Sequence, residues 1–344
     1  MVITRAPSSG SVRDLETAIR DYVTDARFNY ALYYGDRKTF HVVCSALDVI
    51  GDTTMAINAY VAMDDSGDYG VRYLQLYGLL QALIIQQDAV NHIIETLNLN
   101  LAADPDLANI RNIRNMATGH PSKREKNRNP QKLQSSHAIS RPSLRKESFT
   151  LFSFFEDGKT PMDPIMVLEL IKAQERAIVA RLHAAIVELR RREVEHRMKF
   201  RDRKLAAFFP STIGYYFEKC YEGCREDDDN GRRTFAQLHI ELLQEILNKL
   251  RAELTERGII PAYSGAAIDL EDAEYPLSEL AKFMMAGADS TLNAKSANIF
   301  VFYLQHQFDK LQQMARAFDD EYQKDPPPLD NLPQMPENPT EPQD

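Results

Sequence analysis

A chain of 344 residues, 44% hydrophobic and 26% charged, has room for two domains or one large helical domain with attachments, and its composition is that of a soluble globular protein. Three cysteines (Cys44, Cys220 and Cys224) exclude a disulfide framework and fit a reducing compartment. The net charge of −9 argues against nucleic acid as a general partner, yet Arg111 to Lys146 holds ten Lys/Arg and one acid (Glu125), so this segment carries +9 and the remainder −18.

In chain order, the opening residues lack the apolar stretch of a signal peptide. Asp14 to Tyr34, Thr39 to Met63 and Val71 to Leu99 then read as three long helices free of proline, the last two separated by the polar run at 64–68 and Gly70. The third is apolar on most of its circumference, as the middle helix of a bundle is. Its most apolar run, Leu79 to Val90, is interrupted by Gln81, Gln86, Gln87 and Asp88 and is too short to span a membrane, so the expectation is a cytoplasmic protein without a membrane partner. Gln86, Gln87 and Asp88 are read as buried helix–helix hydrogen-bonding groups, with an orientation toward a site as the alternative. Asp104-Pro105-Asp106 supplies a cap and a first-turn proline for a fourth helix, and Gly119 a residue favoured just past a helix end.

From Pro121 the chain turns basic and rich in Asn and Ser, a loop. Two strand-like runs follow, Ser136–Ser140 and Ser148–Phe155, and together they predict a small β-hairpin. Pro164 to about Lys204 reads as one long helix, and 232–257, 276–287 and 293–322 as further helices. Seven of the seventeen prolines lie between Pro326 and Pro342, which predicts a disordered tail over 324–344. The expected class is mainly α: a bundle with a basic loop and hairpin over 10–160, then a helical region over 161–323.

Arg114 falls in the last turn of the fourth helix and His120 just beyond Gly119, at the edge of the basic strip. Cleaving RNA suits such a pair. RNA carries its own nucleophile, the 2′-hydroxyl, so the protein has only to orient the phosphate, stabilise charge on phosphorus and move protons. Histidine, with an ordinary pKa of about 6.5, transfers protons near neutrality. Arginine stays charged and forks onto two phosphate oxygens. Asn115 is placed to orient either partner, and Arg111, Lys123, Arg124, Lys126 and Arg128 to hold flanking phosphates. His137 and Arg141, on the first predicted strand, are further candidates for RNA contact, against a plain solvent-facing strand position. Spacing alone is equally compatible with an Arg and a His stabilising a helix C-terminus.

The sequence Arg114-Asn115-(four residues)-His120 after three long helices resembles the signature of the HEPN superfamily. The resemblance covers about residues 10–150, with Asp48 and Asp52 in the second helix and the basic loop after the histidine. It implies a helical-bundle core and a metal-independent endoribonuclease. Arg114 and His120 would be the catalytic pair, Asn115 the polar modulator, and a homodimer would face both motifs into one cleft. A role in phage defence or a toxin–antitoxin pair, with a regulator or antitoxin protein as partner, follows from the same resemblance. Gly119 and Pro121 flank the histidine, a departure from members in which it lies within a helix. The alternative is a non-catalytic helical scaffold that binds RNA or protein.

Other motifs are weaker. Cys220-(three residues)-Cys224 is half of a zinc site without a second pair, and the acidic turn Glu226–Gly231 lacks the bidentate Glu of a calcium loop, Gln237 standing in its place. Gly158-Lys159-Thr160 lacks the earlier glycine of a phosphate-binding loop and is followed by prolines. The charged stretch Arg190 to Lys204 interleaves both signs, as a solvated helix does. No metal and no cofactor are therefore expected.

Overall fold

A computed structural model describes residues 10–24, 37–119, 135–155, 157–225, 230–260, 265–286 and 292–324. The chain is mainly α-helical with one small antiparallel sheet, and it divides into two compact units, with 12–24 and 37–190 in the first and 191–324 in the second. The expected boundary near 160 is displaced into the long helix, because that helix's first part shares the first unit's core.

The first unit opens with α1 (Val12–Thr24), whose Val12, Leu15, Ile19 and Val23 repeat at three- and four-residue steps and are buried. Residues 25–34, expected to extend it, lie outside the described residues. Next come α2 (Arg37–Ala62) and α3 (Tyr69–Thr96), which pack along each other. Residues 38–62 of α2 are long and apolar enough to cross a membrane, more so than 79–90, which the sequence singles out as its most apolar run. Here α2 lies against α1 and α3 with Asp48 and Asp52 in its middle. Asp68 caps α3 by accepting the Val71 N–H at 3.0 Å, and Asn98 leaves it in the left-handed region (φ 54°). The fourth helix, α4 (Pro105–Arg114), starts as expected: Asp104 accepts the N–H groups of Asp106 and Leu107 at 2.9 and 3.1 Å, with Pro105 in the first turn.

The expected hairpin is a three-stranded sheet, β1 (Ser135–Ile139), β2 (Ser148–Phe155) and β3 (Met162–Met166), in the order β1-β2-β3. The third strand occupies the segment read as the start of the long helix. Pro164 has no N–H to give and sits on this edge strand, opposite Thr150, rather than in a first helical turn. The long helix α5 (Val167–Phe200) therefore begins after it. Phe149 and Leu151 of β2 join Leu144, Val167 and Leu170 against Leu80, Leu83, Ile110 and Ile113 of the bundle. The three glutamines Gln86, Gln87 and Gln174 form a buried polar network between α3 and α5. Gln87 donates to Gln174 Oε1 (2.9 Å), while Gln174 donates to Gln86 Oε1 (3.1 Å) and to the Leu83 carbonyl (2.9 Å). Gln86 also donates to Thr54 (3.1 Å), so these side chains bond helix to helix.

The second unit holds α6 (Ile213–Gly223), α7 (Asn230–Glu256), α8 (Gly265–Ala286) and α9 (Ala294–Gln323) around a Leu-rich core that includes Leu243, Leu250, Leu277, Leu304 and Phe308. The helix expected at 276–287 begins eleven residues earlier and contains Pro276. The N–H that proline lacks would have bonded residue 272, an exposed aspartate that water can solvate. Cys220 and Cys224 are buried in this core, and burial pushes both thiols up to about 12. Residues 325–344, expected as a disordered tail, lie outside the described residues.

Candidate functional site

The α-helical ladder of α4 stops at Arg114 and the chain continues as one π turn, Asn115–Gly119. Leu107, Ile110 and Ile113 anchor the helix in the core, Ala117 anchors the turn, and Thr118 Oγ1 donates to the Arg114 carbonyl at 3.0 Å. Widened turns of this kind recur at functional sites because they re-aim the side chains around them.

Arg114 is held by two amides. Its Nε and Nη2 donate to Gln81 Oε1 of α3 at 3.2 and 2.6 Å, and its Nη1 to Asn115 Oδ1 at 3.0 Å. These bonds engage three of the five N–H donors of a guanidinium and leave two. Both partners are neutral, and no carboxylate pairs with Arg114 among the described residues, so its charge is positioned without being cancelled. Arg111 contrasts with it. That guanidinium is paired with Asp88 at 2.5 Å, so its charge is partly balanced within the protein.

Gly119 is the last residue of the helical run, where the stop was expected, and it has a second purpose. It lacks a positive φ; its role is room. A Cβ there would lie 3.0 Å from Arg114 Nη1 and 3.3 Å from Asn115 Oδ1. The backbone that leads into His120 thus passes directly beneath the Arg114–Asn115 pair. Gly119→Ala is expected to move the guanidinium by a few tenths of an ångström, leave the melting temperature nearly unchanged, and lower any RNA cleavage by about tenfold. Parallel melting and cleavage assays check this; unaltered cleavage would show that the close approach has no function.

His120, Lys123, Arg124, Lys126 and Arg128 lie outside the described residues. Their placement relative to Arg114 rests on the sequence: His120 directly follows Gly119. The strand candidates are corrected. His137 is buried rather than solvent-facing, because its register with Ser153 turns both inward. Its Nδ1 is 2.9 Å from Ser153 Oγ and its Nε2 3.1 Å from Ser135 Oγ. Arg141 lies not on the strand but in the 3-10 turn 141–143 that follows it, and is exposed.

Asp48 and Asp52 line a different feature, a polar groove of about 510 Å³ bordered by Arg13, Glu16 and Arg20 of α1. Arg20 pairs there with Glu16 (2.6 Å) and Asp48 (3.0 Å), and none of the motif residues lines it. Gln81 is the residue that sequence reasoning missed: it is separated from Arg114 by 33 positions, and nothing local marks it. Among the described residues no group of His, Cys, Asp or Glu side chains is arranged to hold a metal ion. No protein-family model, curated protein or solved structure matches the chain.

Proposed function

We propose that the protein is an endoribonuclease of the HEPN type that acts without metal, with Arg114 on the scissile phosphate, His120 moving the proton and Asn115 orienting Arg114. The observation that carries this reading is an arginine held by two neutral amides, directly above the backbone that enters His120. An arginine that merely stabilised a helix end would bond to backbone carbonyls, whereas this one keeps two donors and its full charge for a ligand. RNA is the fitting ligand because the chain around the site, Arg111 to Lys146, carries +9 in a protein of net charge −9. His120 would accept the 2′-hydroxyl proton, the 2′-oxygen would attack phosphorus as the bond from phosphorus to the 5′-oxygen breaks, and the 5′-oxygen would leave with a proton taken from water, giving a cyclic phosphate and a 5′-hydroxyl; the His120 imidazolium then returns its proton to solvent.

The proposed setting is cytoplasmic and homodimeric, in phage defence or growth arrest under a regulator or antitoxin. The test is direct. Purified protein is incubated with labelled RNA in EDTA beside His120→Ala. Cleavage by the wild type that is lost in the variant is expected, and relief of expression toxicity by His120→Ala provides a second readout. Binding without cleavage by the wild type would replace this reading with that of an RNA-binding scaffold.

A further inference from the structure

We infer that the solvent face of the three-stranded sheet is a stacking platform for the unpaired bases of single-stranded RNA, centred on Phe152 and Phe154. Its role as a feeder for Arg114 rests on the ribonuclease reading; its role as a binding surface does not.

Alternation along β2 turns Phe149, Leu151 and Ser153 inward and Thr150, Phe152 and Phe154 outward. The rings of Phe152 and Phe154 lie 6.3 Å apart with their planes within 21°. Their cross-strand neighbours on β1 are Ala138 and Ser136, too small to cover a ring, and β3 adds Met162 opposite Phe152. Phe154 is 45% exposed, Met162 63% and Met166 53%. A soluble sheet that shows paired phenyl rings and thioethers to water leaves a face in need of an occupant.

An exposed cation and position point to that occupant. Of the basic side chains between β1 and β2, Arg145 donates to the Pro142 and Leu144 carbonyls and Lys146 to the Val61 carbonyl, and the sheet with its connections (135–166) has no net charge. The Arg141 guanidinium is exposed and has no partner among the described residues. Flat aromatic rings suit a ligand whose bases have open π-faces, with Arg141 available to a phosphate, and such stacking requires the bases to be unpaired. β1, the edge strand beside this face, packs against the π turn Asn115–Gly119. A strand stacked on the two rings and crossing β1 therefore arrives beside Arg114.

The test uses full-length His120→Ala protein, in which binding is read apart from cleavage. Its affinity for a short labelled single-stranded RNA and for a duplex of the same sequence is measured by anisotropy at fixed salt. Phe152→Leu with Phe154→Leu, added to this background, is expected to weaken single-strand binding at least about tenfold. Phe154→Leu alone, at an exposed position that the fold tolerates, should account for about fivefold of this, and Phe154→Tyr should restore it. Duplex binding should be weaker and unaffected by all three. Equal affinity for duplex, unchanged binding in both leucine variants, or no RNA binding at all would overturn the platform. Unchanged RNA binding with loss of self-association in sedimentation equilibrium would also overturn it, assigning the face to a protein contact. Ring-dependent binding by a wild-type protein that cuts nothing would remove the ribonuclease reading and leave the platform standing. Cleavage with ring-independent binding would do the reverse.

Discussion

Arg114→Ala is expected to lower RNA cleavage by about 10²–10³-fold while the protein melts nearly as before. The side chain is only partly buried, and the two amide oxygens it leaves, Gln81 Oε1 and Asn115 Oδ1, can be taken up by water. Lysine at the same position should recover little, because an ammonium cannot span Gln81, Asn115 and a phosphate at once. Gln81→Leu should fall between the two, since it keeps the charge and loosens its aim. Arg111→Ala is the informative control: paired with Asp88, it should cost much less than Arg114→Ala. Equal losses at Arg111 and Arg114 would mean that only general positive charge matters there. Initial rates on one labelled RNA, with thermal melting of each variant, decide the matter.

The second large effect concerns stability and falls in the second unit. Arg257 is fully buried, with its guanidinium 5.0 Å from the Phe200 ring and 4.8 Å from the Tyr322 ring. It pairs with Glu253 at 3.0 Å and donates to the Arg203 carbonyl, and its own carbonyl accepts from His196 Nε2 at 2.9 Å. Arg257→Ala breaks a buried pair and opens a slot between two rings, so a loss of about 3–5 kcal/mol is expected in denaturant unfolding. Met should recover part of that by refilling the slot. The same cluster makes stability depend on pH. Burial, reinforced by the nearby Arg257, Lys199 and Arg197 charges and opposed by the bond to the Arg257 carbonyl, lowers His196 from 6.5 to about 4. The unfolded chain then takes up the proton first as pH falls. His196 therefore contributes no pH dependence above about 6.5, and stability drains away between there and about 4. His196→Gln, which keeps a donor, should flatten that slope; an unchanged slope would place its origin elsewhere.

Much of this was legible in the chain. Asp104-Pro105 announced α4 because a capping carboxylate and a first-turn proline are local chemistry. β2 was visible through its alternation. What escaped depended on tertiary partners. Met162-Asp-Pro-Ile-Met offers no alternation strong enough to announce a strand, and β3 exists because β2 provides an edge to pair with. Pro164 and Pro276 were both read as helix starts, yet one lies on an edge strand and the other inside a helix. At the candidate site, Arg114 and Asn115 were singled out by the resemblance of the motif to a family signature, not by its spacing alone. Gln81 was not, since a glutamine on an exposed helical face looks like any solvated residue until another helix brings an arginine to it. Gly119 was legible as a helix end but not as a residue that leaves room for Arg114, since the two are identical in sequence. His137 shows the same limit, because a one-residue change in strand phase decides whether it faces water or Ser153.

In the proposed mechanism RNA supplies its own nucleophile to a site built around Arg114 and His120. A chemically synthesised RNA carrying a single 2′-deoxy residue at a mapped cleavage position tests it most directly, with fragments and their ends resolved in EDTA. Cleavage should vanish at that position alone, and neighbouring cuts should end in 2′,3′-cyclic phosphate and 5′-hydroxyl. Cutting at the deoxy position, or fragments with 5′-phosphate ends, would contradict the mechanism whatever the phenotype of the Arg114 and His120 variants.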